Sequence, residues 1–482
     1  MKISRNILLL SFGMFGSEAF ALDLDNVQLF AKCYSQLTQM AVTANHPKMI
    51  AVREQGRDPI AACMDVFDKA LLKLPVATLP PSVNSETTIV NSEEGSAVLR
   101  TMHKFHTTWF DVKDHPGGNA EAAAIQDIID GETPALHLTR ALFKPSARYD
   151  SILKATTSLK PIRTVEHPTK GARTAKTKDN YIFKTIPPYT PFAGTGDLKG
   201  IREIGATELN RSYSFQQNIN LSALTTGAVN FGTHFGGGII GEQIYLLQNI
   251  GQVRTFVSNG AEKMPRRLAR SIYHDLLCRS LPVIRTADAQ RFVAQNSRVA
   301  FRGSSGCVRC HASMDRAAAV ARNFTYRRVG GVPGDDNLGF EVVERRPVIQ
   351  PAEGTWPEAP DPNYYLRPAN GVLYFRNYAG DLVNQPVTSL ASLGAEIARQ
   401  DDFYACAAKR YYNYFVGVDV DLAELYEDGG KPITLTPKDT FHRENVIGLG
   451  TTLKTRQSTR ALIEAIFRLP SYRRTDFESG LP

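Results

Sequence analysis

The sequence predicts a mainly α-helical protein of several domains with one small β-hairpin. Apolar residues recur at helical spacing in separate segments of both halves of the chain, and many of these segments begin or end at capping residues. Only one stretch combines a strand-like run with a tight turn. The chain has 482 residues, of which 43% are hydrophobic and 22% charged. This length and composition allow a large core and more than one domain.

The N-terminus has the pattern of a bacterial export signal. Lys2 and Arg5 precede an apolar run over residues 7–15, and a small-x-small cleavage site follows at residues 19–21. This pattern predicts a signal peptide over residues 1–21 and a periplasmic or otherwise exported mature chain. The run is too short to cross a bilayer and no later run reaches about 18 apolar residues, so no membrane span is expected.

The chain is mildly basic, with a formal charge of +8 that becomes +7 when Lys2, Arg5 and Glu18 leave with the signal peptide. Much of the excess lies between Lys154 and Lys184. We interpret this stretch as a solvated surface loop that can also steer an acidic redox partner protein. Aromatic residues do not alternate with these charges, so nucleic-acid binding is not expected.

The N-terminal domain, residues 22–148, is predicted to be helical. Cys33 and Cys63 each lie on the apolar stripe of a predicted helix, which favours a disulfide between them in an oxidising compartment. We interpret one histidine-rich stretch as the core edge of an amphipathic helix rather than as a metal site. It contains His103, His106 and Trp109, and His115 follows it. The predicted helices are Val27–Met40, Pro59–Leu72 with Asp58 as N-cap, Glu93–Phe110, Ala120–Asp130 and Ala135–Phe143.

Residues 149–260 are predicted to form an irregular basic connecting region, because periodicity fades while Pro, Gly, Thr and Asn become frequent. Gly236-x-Gly238-x-x-Gly241 matches the dinucleotide-binding pattern in its letters alone. No strand–helix unit surrounds it, so we expect a glycine loop that opens a short helix toward Tyr245.

The C-terminal region, residues 261–482, is again predicted to be helical, with a hairpin over Gly371–Val383. Asp401 and Gly417 are expected to cap one of its helices. The predicted helices are Pro265–Cys278, Ala287–Val299, Leu390–Ala398, Asp402–Val416 and Thr459–Leu469.

The motif that most directly indicates a chemical function is Cys307-Val308-Arg309-Cys310-His311. It matches the attachment motif for c-type haem, in which two thiols form thioethers and the histidine is an axial ligand of the iron. A chain of this composition is expected to contain such a match about 0.0015 times by chance. A zinc site would need a fourth ligand from a second cluster, and a thioredoxin-like dithiol would need a preceding strand. A zinc site, a thioredoxin-like dithiol and a plain disulfide remain the alternatives to haem attachment.

The sixth ligand of such an iron is not fixed by the sequence. Met314 is the last methionine and lies too close to His311 to cross the porphyrin. The candidates are His442, Met264 and His274, with an open position as the alternative. The arginines that flank the motif could pair with haem propionates, with exposed surface charge as the alternative; they are Arg302, Arg309 and Arg316.

Several blocks together resemble the planctomycete-type cytochrome-c-like proteins, exported chains with one such motif among domains of unknown function. The blocks are Arg266–Pro282, the motif with Ala312–Asp315 after it, Asp402–Gly417 and Thr459–Arg473. The relatives continue with Asp-Pro-x-Gly where this chain has Asp315-Arg316-Ala317-Ala318. The resemblance implies an embedded cytochrome-c-like haem region in residues 261–482, with one haem on Cys307 and Cys310 and with His311 on the iron.

The resemblance also places Cys278 and Cys406 in matching blocks, which implies a disulfide between them. Four cysteines outside the motif allow three pairings, and the other two stay open. The expected function is single-electron transfer through one covalent haem, without a substrate pocket. A peroxidase-like haem enzyme with an open distal site, or a protein that uses haem as a structural staple, are the alternatives.

Overall fold

The computed structural model describes residues 23–73, 88–90, 92–110, 132–165, 181–182, 195–204, 216–217, 229–230, 234–249, 260–329, 339–345, 347 and 364–474. The signal peptide, the predicted helix over residues 120–130, His115 and most of the basic stretch lie outside these residues. Within the described part the protein is mainly α-helical, which confirms the predicted fold class. No helix found there is long and apolar enough to cross a bilayer.

Fifteen α-helices form this part of the chain. They are α1 (Asn26–Thr38), α2 (Pro47–Glu54), α3 (Pro59–Phe67), α4 (Glu93–Thr107), α5 (Thr133–Phe143), α6 (Ser151–Lys154), α7 (Gln243–Gln248), α8 (Gly260–Leu277), α9 (Thr286–Gln290), α10 (Ser305–Ala318), α11 (Leu390–Ile397), α12 (Asp401–Val416), α13 (Pro437–Arg456), α14 (Thr459–Arg468) and α15 (Pro470–Arg473).

The described strands are β1 (Thr88–Ile89), β2 (Ser158–Val165), β3 (Tyr181–Ile182), β4 (Thr195–Ile204), β5 (Gln216–Gln217), β6 (Val229–Asn230), β7 (Phe324–Val329), β8 (Gly339–Arg345), β9 (Gly371–Arg376) and β10 (Leu382–Val387). They form small antiparallel sheets. One sheet has the order β1-β4-β2, another β6-β8-β7, and two strand pairs are β3 with β5 and β9 with β10. The region predicted to be irregular therefore contributes two longer strands, β2 and β4.

The predicted hairpin is present as β9 and β10. Leu373 pairs with Gln385, and Arg376 pairs with Leu382 next to the turn. The side chain of Asn377 accepts hydrogen bonds from the Ala379 and Asp381 amides, which closes the turn. The second strand continues four residues beyond the predicted end of the hairpin at Val383.

Helix α3 begins at the capping residue that the sequence predicts. The Asp58 carboxylate accepts hydrogen bonds from the amides of Ile60 and Ala61, and Pro59 occupies the first turn of α3. At the other end of the chain, Gly417 adopts the left-handed conformation with φ of 88° and ends α12 as predicted. Asp401 is the first residue of α12 rather than its cap.

Several helices differ from the expectation, and two of them lie in the C-terminal region. The predicted helix over residues 287–299 ends at Gln290, because the Ala294 amide donates to the Arg302 carbonyl, later in the chain, and not to the Gln290 carbonyl as a continued helix requires. The 20-residue helix α13 was not predicted, since Gly448 and Gly450 interrupt its apolar pattern. Gly450 permits close packing on α12: a Cβ there would lie 2.8 Å from the Ala405 Cα.

Residues from all three predicted regions share one apolar core, which includes Leu29, Ile240 and Phe467. A second, smaller cluster joins α10 to the hairpin through Val308, Ala312 and their neighbours. Strand β9 approaches the end of α10 closely, because a Cβ on Gly371 would lie 2.8 Å from the Arg316 carbonyl oxygen. The hairpin thus supports the helix that carries the motif.

Candidate functional site

The motif Cys307–His311 lies on the first turns of α10, which begins at Ser305 inside the glycine–serine run. Residues three and four apart share one face of a helix, so Cys307, Cys310 and His311 lie together. Val308 on the other side is fully buried in the small cluster. Cys307 is exposed and Cys310 is partly buried. The helix therefore presents both thiols on its accessible face.

The two motif thiols are free, whereas the other four cysteines are paired. Cys33 pairs with Cys63, and Cys278 pairs with Cys406, with Cα atoms 6.3 Å and 5.2 Å apart. These are the two pairs that the sequence and the resemblance favour. Burial raises the pKa of the Cys310 thiol.

His311 has a carboxylate partner one turn along the same helix. Its Nδ1 lies 3.0 Å from Oδ2 of Asp315. Arg266 of α8 forms a bidentate ion pair with the same carboxylate. Its Nε lies 2.7 Å from Oδ1 and its Nη2 lies 2.8 Å from Oδ2. The ring of Phe301 stacks on the imidazole at 4.1 Å between centroids and 11° between planes. The Nδ1 atom of His311 is therefore hydrogen-bonded to Asp315, and one face of its ring is covered by Phe301.

The three arginines near the motif all have protein contacts. Arg302 donates to the Phe292 carbonyl, and Arg309 lies 3.3 Å from a carboxylate oxygen of Asp428.

The Arg316 guanidinium lies 4.9 Å and 4.6 Å from the ring centres of Phe292 and Tyr374. Burial lowers the pKa of Arg316, and its Nη1 has no hydrogen-bond partner among the described residues.

The sixth-ligand candidates occupy different surroundings. Met264 is fully buried on α8, the helix that packs against α10. His274 near the end of α8 is largely exposed, and its Nδ1 lies 2.8 Å from Asp275. His442 is buried with its Nδ1 2.7 Å from the Tyr412 hydroxyl and its ring against Tyr412. Met264 and His274 both belong to α8, which packs against the motif helix, whereas His442 belongs to α13.

A second polar cluster, which the sequence did not predict, lies in the core. His137, His234 and Glu242 come from three separate segments and have potential metal-ligating atoms within 4.8 Å of one another. His137 Nε2 is 2.5 Å from Glu242 Oε1, and the Ser158 hydroxyl donates to Oε2 at 2.7 Å. Burial raises the pKa of Glu242 to about 7 and lowers that of His137 to about 3.

The hydrogen bonds of His234 favour a structural role for this cluster. The Gly236 amide donates to Nδ1 at 2.8 Å, so the ring proton lies on Nε2 and points to the Gly238 carbonyl, also at 2.8 Å. A metal ion on Nε2 would move the ring proton to Nδ1. Nδ1 could then no longer accept the hydrogen bond from the Gly236 amide. His234 thus closes the glycine loop that the sequence predicted before α7.

His103 and His106 form another hydrogen-bonded set, in agreement with the interpretation as a core edge. Both Nδ1 atoms face the Thr139 hydroxyl, at 3.0 Å and 2.8 Å. His106 Nε2 lies 2.6 Å from the Tyr411 hydroxyl, and His103 Nε2 lies 3.0 Å from Glu132. Hydrogen bonds from His103 and Arg163 lower the pKa of Glu132 to about 2.

No family model, curated protein or solved structure matches this chain. The assignment of function therefore depends on the residues of the motif and their surroundings.

Proposed function

We propose that the protein is an exported c-type haem protein that transfers single electrons through one haem attached to Cys307 and Cys310, with His311 as an iron ligand. The observation that supports this most directly is the state of the motif. Two free thiols and an imidazole lie on one accessible helix face, and the imidazole has its Nδ1 already engaged. This donor set fits a covalent haem.

Attachment needs only the two thiols and the two vinyl groups. Each S–H adds across one vinyl C=C, so a carbon–sulfur bond forms and the proton goes to the other vinyl carbon. No atom leaves and no oxidant is required. The free state of Cys307 and Cys310 is therefore the chemically competent one. The bound iron supplies the one-electron redox chemistry, and its protein surroundings set the potential.

Export is supported by the other cysteines. Disulfides persist in oxidising compartments, and both Cys33–Cys63 and Cys278–Cys406 are paired. The proposed partner is a redox protein, with the basic charge of the chain favouring an acidic surface.

The test of this function is spectroelectrochemistry of the protein produced with a c-type maturation system. We expect reversible one-electron cycling and no turnover of hydrogen peroxide. Fast peroxide turnover would replace electron transfer with the haem-enzyme alternative. A haem that neither cycles nor reacts would favour the structural staple. Arg309→Lys, which keeps the charge between the two cysteines, serves as a matched control for substitutions in the motif.

A further inference from the structure

We infer that Asp315, held by Arg266, is a positioning residue that presents His311 to the iron through Nε2 and makes it a strongly electron-donating ligand. The inference rests on the proposed haem function. It is carried by the chain of contacts from Arg266 through Asp315 to His311.

The direction of the His311 hydrogen bond follows from Arg266. A guanidinium can only donate, and it donates to both oxygens of Asp315. Such a bidentate pair stabilises the ionised carboxylate, which can only accept. His311 must then donate from Nδ1, and in the neutral imidazole this leaves the lone pair on Nε2. This is the tautomer that an iron ligand needs.

Burial and stacking fix the orientation of this group. The Asp315 side chain is 8% exposed, whereas those of Arg266 and His311 are 45% and 22% exposed. The carboxylate is thus shielded while the imidazole stays reachable. The Phe301 ring lies parallel to the imidazole, and the Arg266 guanidinium lies 5.5 Å from the centre of that Phe301 ring. Rotation of the imidazole would break both the stacking and the hydrogen bond.

The hydrogen bond has an electronic consequence. A ligand histidine that donates to a carboxylate is more basic than one that donates to a neutral carbonyl. A more basic ligand stabilises the oxidised iron more than the reduced iron and lowers the reduction potential. Asp315 thus biases the proposed haem toward a low potential.

The test compares two variants that each remove one carboxylate charge near the motif. Asp315→Asn keeps the side-chain shape and loses the charge that faces His311. Asp428→Asn removes the carboxylate that faces Arg309, two residues from His311, without touching the imidazole. We expect Asp315→Asn to shift the midpoint potential to a clearly more positive value than Asp428→Asn. Equal shifts, or no shift, would overturn the inference.

A second measurement uses the haem-free full chain, so that it does not depend on attachment. Nitrogen-15 NMR of labelled histidines should show His311 with its proton on Nδ1, and Asp315→Ala should redistribute that proton toward Nε2. A neutral His311 with its proton on Nε2 in the unsubstituted chain would overturn the inference. Intact mass separates the two proposals: a chain that gains haem but shows equal potential shifts retains the function and loses only the role of Asp315.

Discussion

Arg279 donates to a single carboxylate oxygen of Asp402 twice, with Nε and Nη2 at 3.0 Å and 2.7 Å, in the interior of the protein. The two side chains are 6% and 2% exposed. Arg279 follows Cys278, and Asp402 lies one turn before Cys406, so the ion pair and the disulfide join the same two segments. The Tyr378 amide also donates to Asp402, which ties in the hairpin turn.

Loss of one partner of this pair should be costly, because the other charge is left buried. Asp402→Ala is expected to lower the free energy of unfolding by about 3–5 kcal/mol. Asp401→Ala removes the neighbouring carboxylate, which is exposed and pairs with Lys454. That control should cost at most about 1 kcal/mol. Denaturant unfolding measures both, and similar losses in the two variants would contradict the account.

The two disulfides should differ in their contribution to stability. They close loops of 30 and 128 residues. Loop-closure entropy predicts about 3.6 kcal/mol for Cys33–Cys63 and about 4.9 kcal/mol for Cys278–Cys406. We expect the Cys278→Ala/Cys406→Ala double variant to unfold at lower denaturant than Cys33→Ala/Cys63→Ala. The reverse order would show that loop length does not control the difference.

The buried His137–Glu242 pair predicts a specific dependence of stability on pH. Burial gives the folded pair pKa values of about 3 and about 7, against ordinary values of 6.5 for the histidine and 4.5 for the glutamate. Between pH 4.5 and 6.5 the folded and unfolded chains bind equal numbers of protons at this pair, so its contribution is constant. Below that window the unfolded chain binds one more proton, and above it the folded chain does.

Stability from the pair should therefore fall by about 2 kcal/mol as the pH drops toward 3, and by less as it rises toward 7. The measurement is the unfolding free energy against pH for the unsubstituted protein minus that for His137→Gln/Glu242→Gln. A difference curve that rises steadily through the window would contradict these pKa directions.

Gly371 should be intolerant of a side chain, because a Cβ there would meet the Arg316 carbonyl oxygen and the Val320 side chain. Gly371→Ala is expected to cost about 1–3 kcal/mol through overpacking between β9 and the end of α10. Gly448→Ala is the matched control, since no neighbour lies within 4 Å of its added Cβ. In the middle of α13 it should stabilise by up to about 1 kcal/mol. Equal effects on the melting temperature would argue against this close contact.

The sequence predicts much of the helical fold because caps and apolar stripes are local signals. Asp58-Pro59, Gly417 and the stripes that carry Cys33 and Cys63 all correspond to features of the structure. Helix α13 was missed because its stability depends on tertiary packing against α12, where Gly450 is favourable although glycine is a poor helix former.

For the candidate site, the spacing of the motif predicts the ligating residues but not their support. Arg266 precedes Asp315 by 49 residues, so their ion pair depends on how α8 packs against α10. His137 and Glu242 are likewise 105 residues apart. Only the i, i+4 spacing of His311 and Asp315 could have been noticed along the chain.

The intact mass of the mature protein, produced with and without a c-type maturation system, tests the central proposal most directly. We predict an increase of one haem mass only with the maturation system, retained under denaturing conditions because the bonds are covalent. Cys307→Ser and Cys310→Ser should each leave one thioether, and the double variant should carry no covalent haem. An unchanged mass with a working maturation system would contradict haem attachment and leave the Cys307/Cys310 dithiol as a redox or metal site.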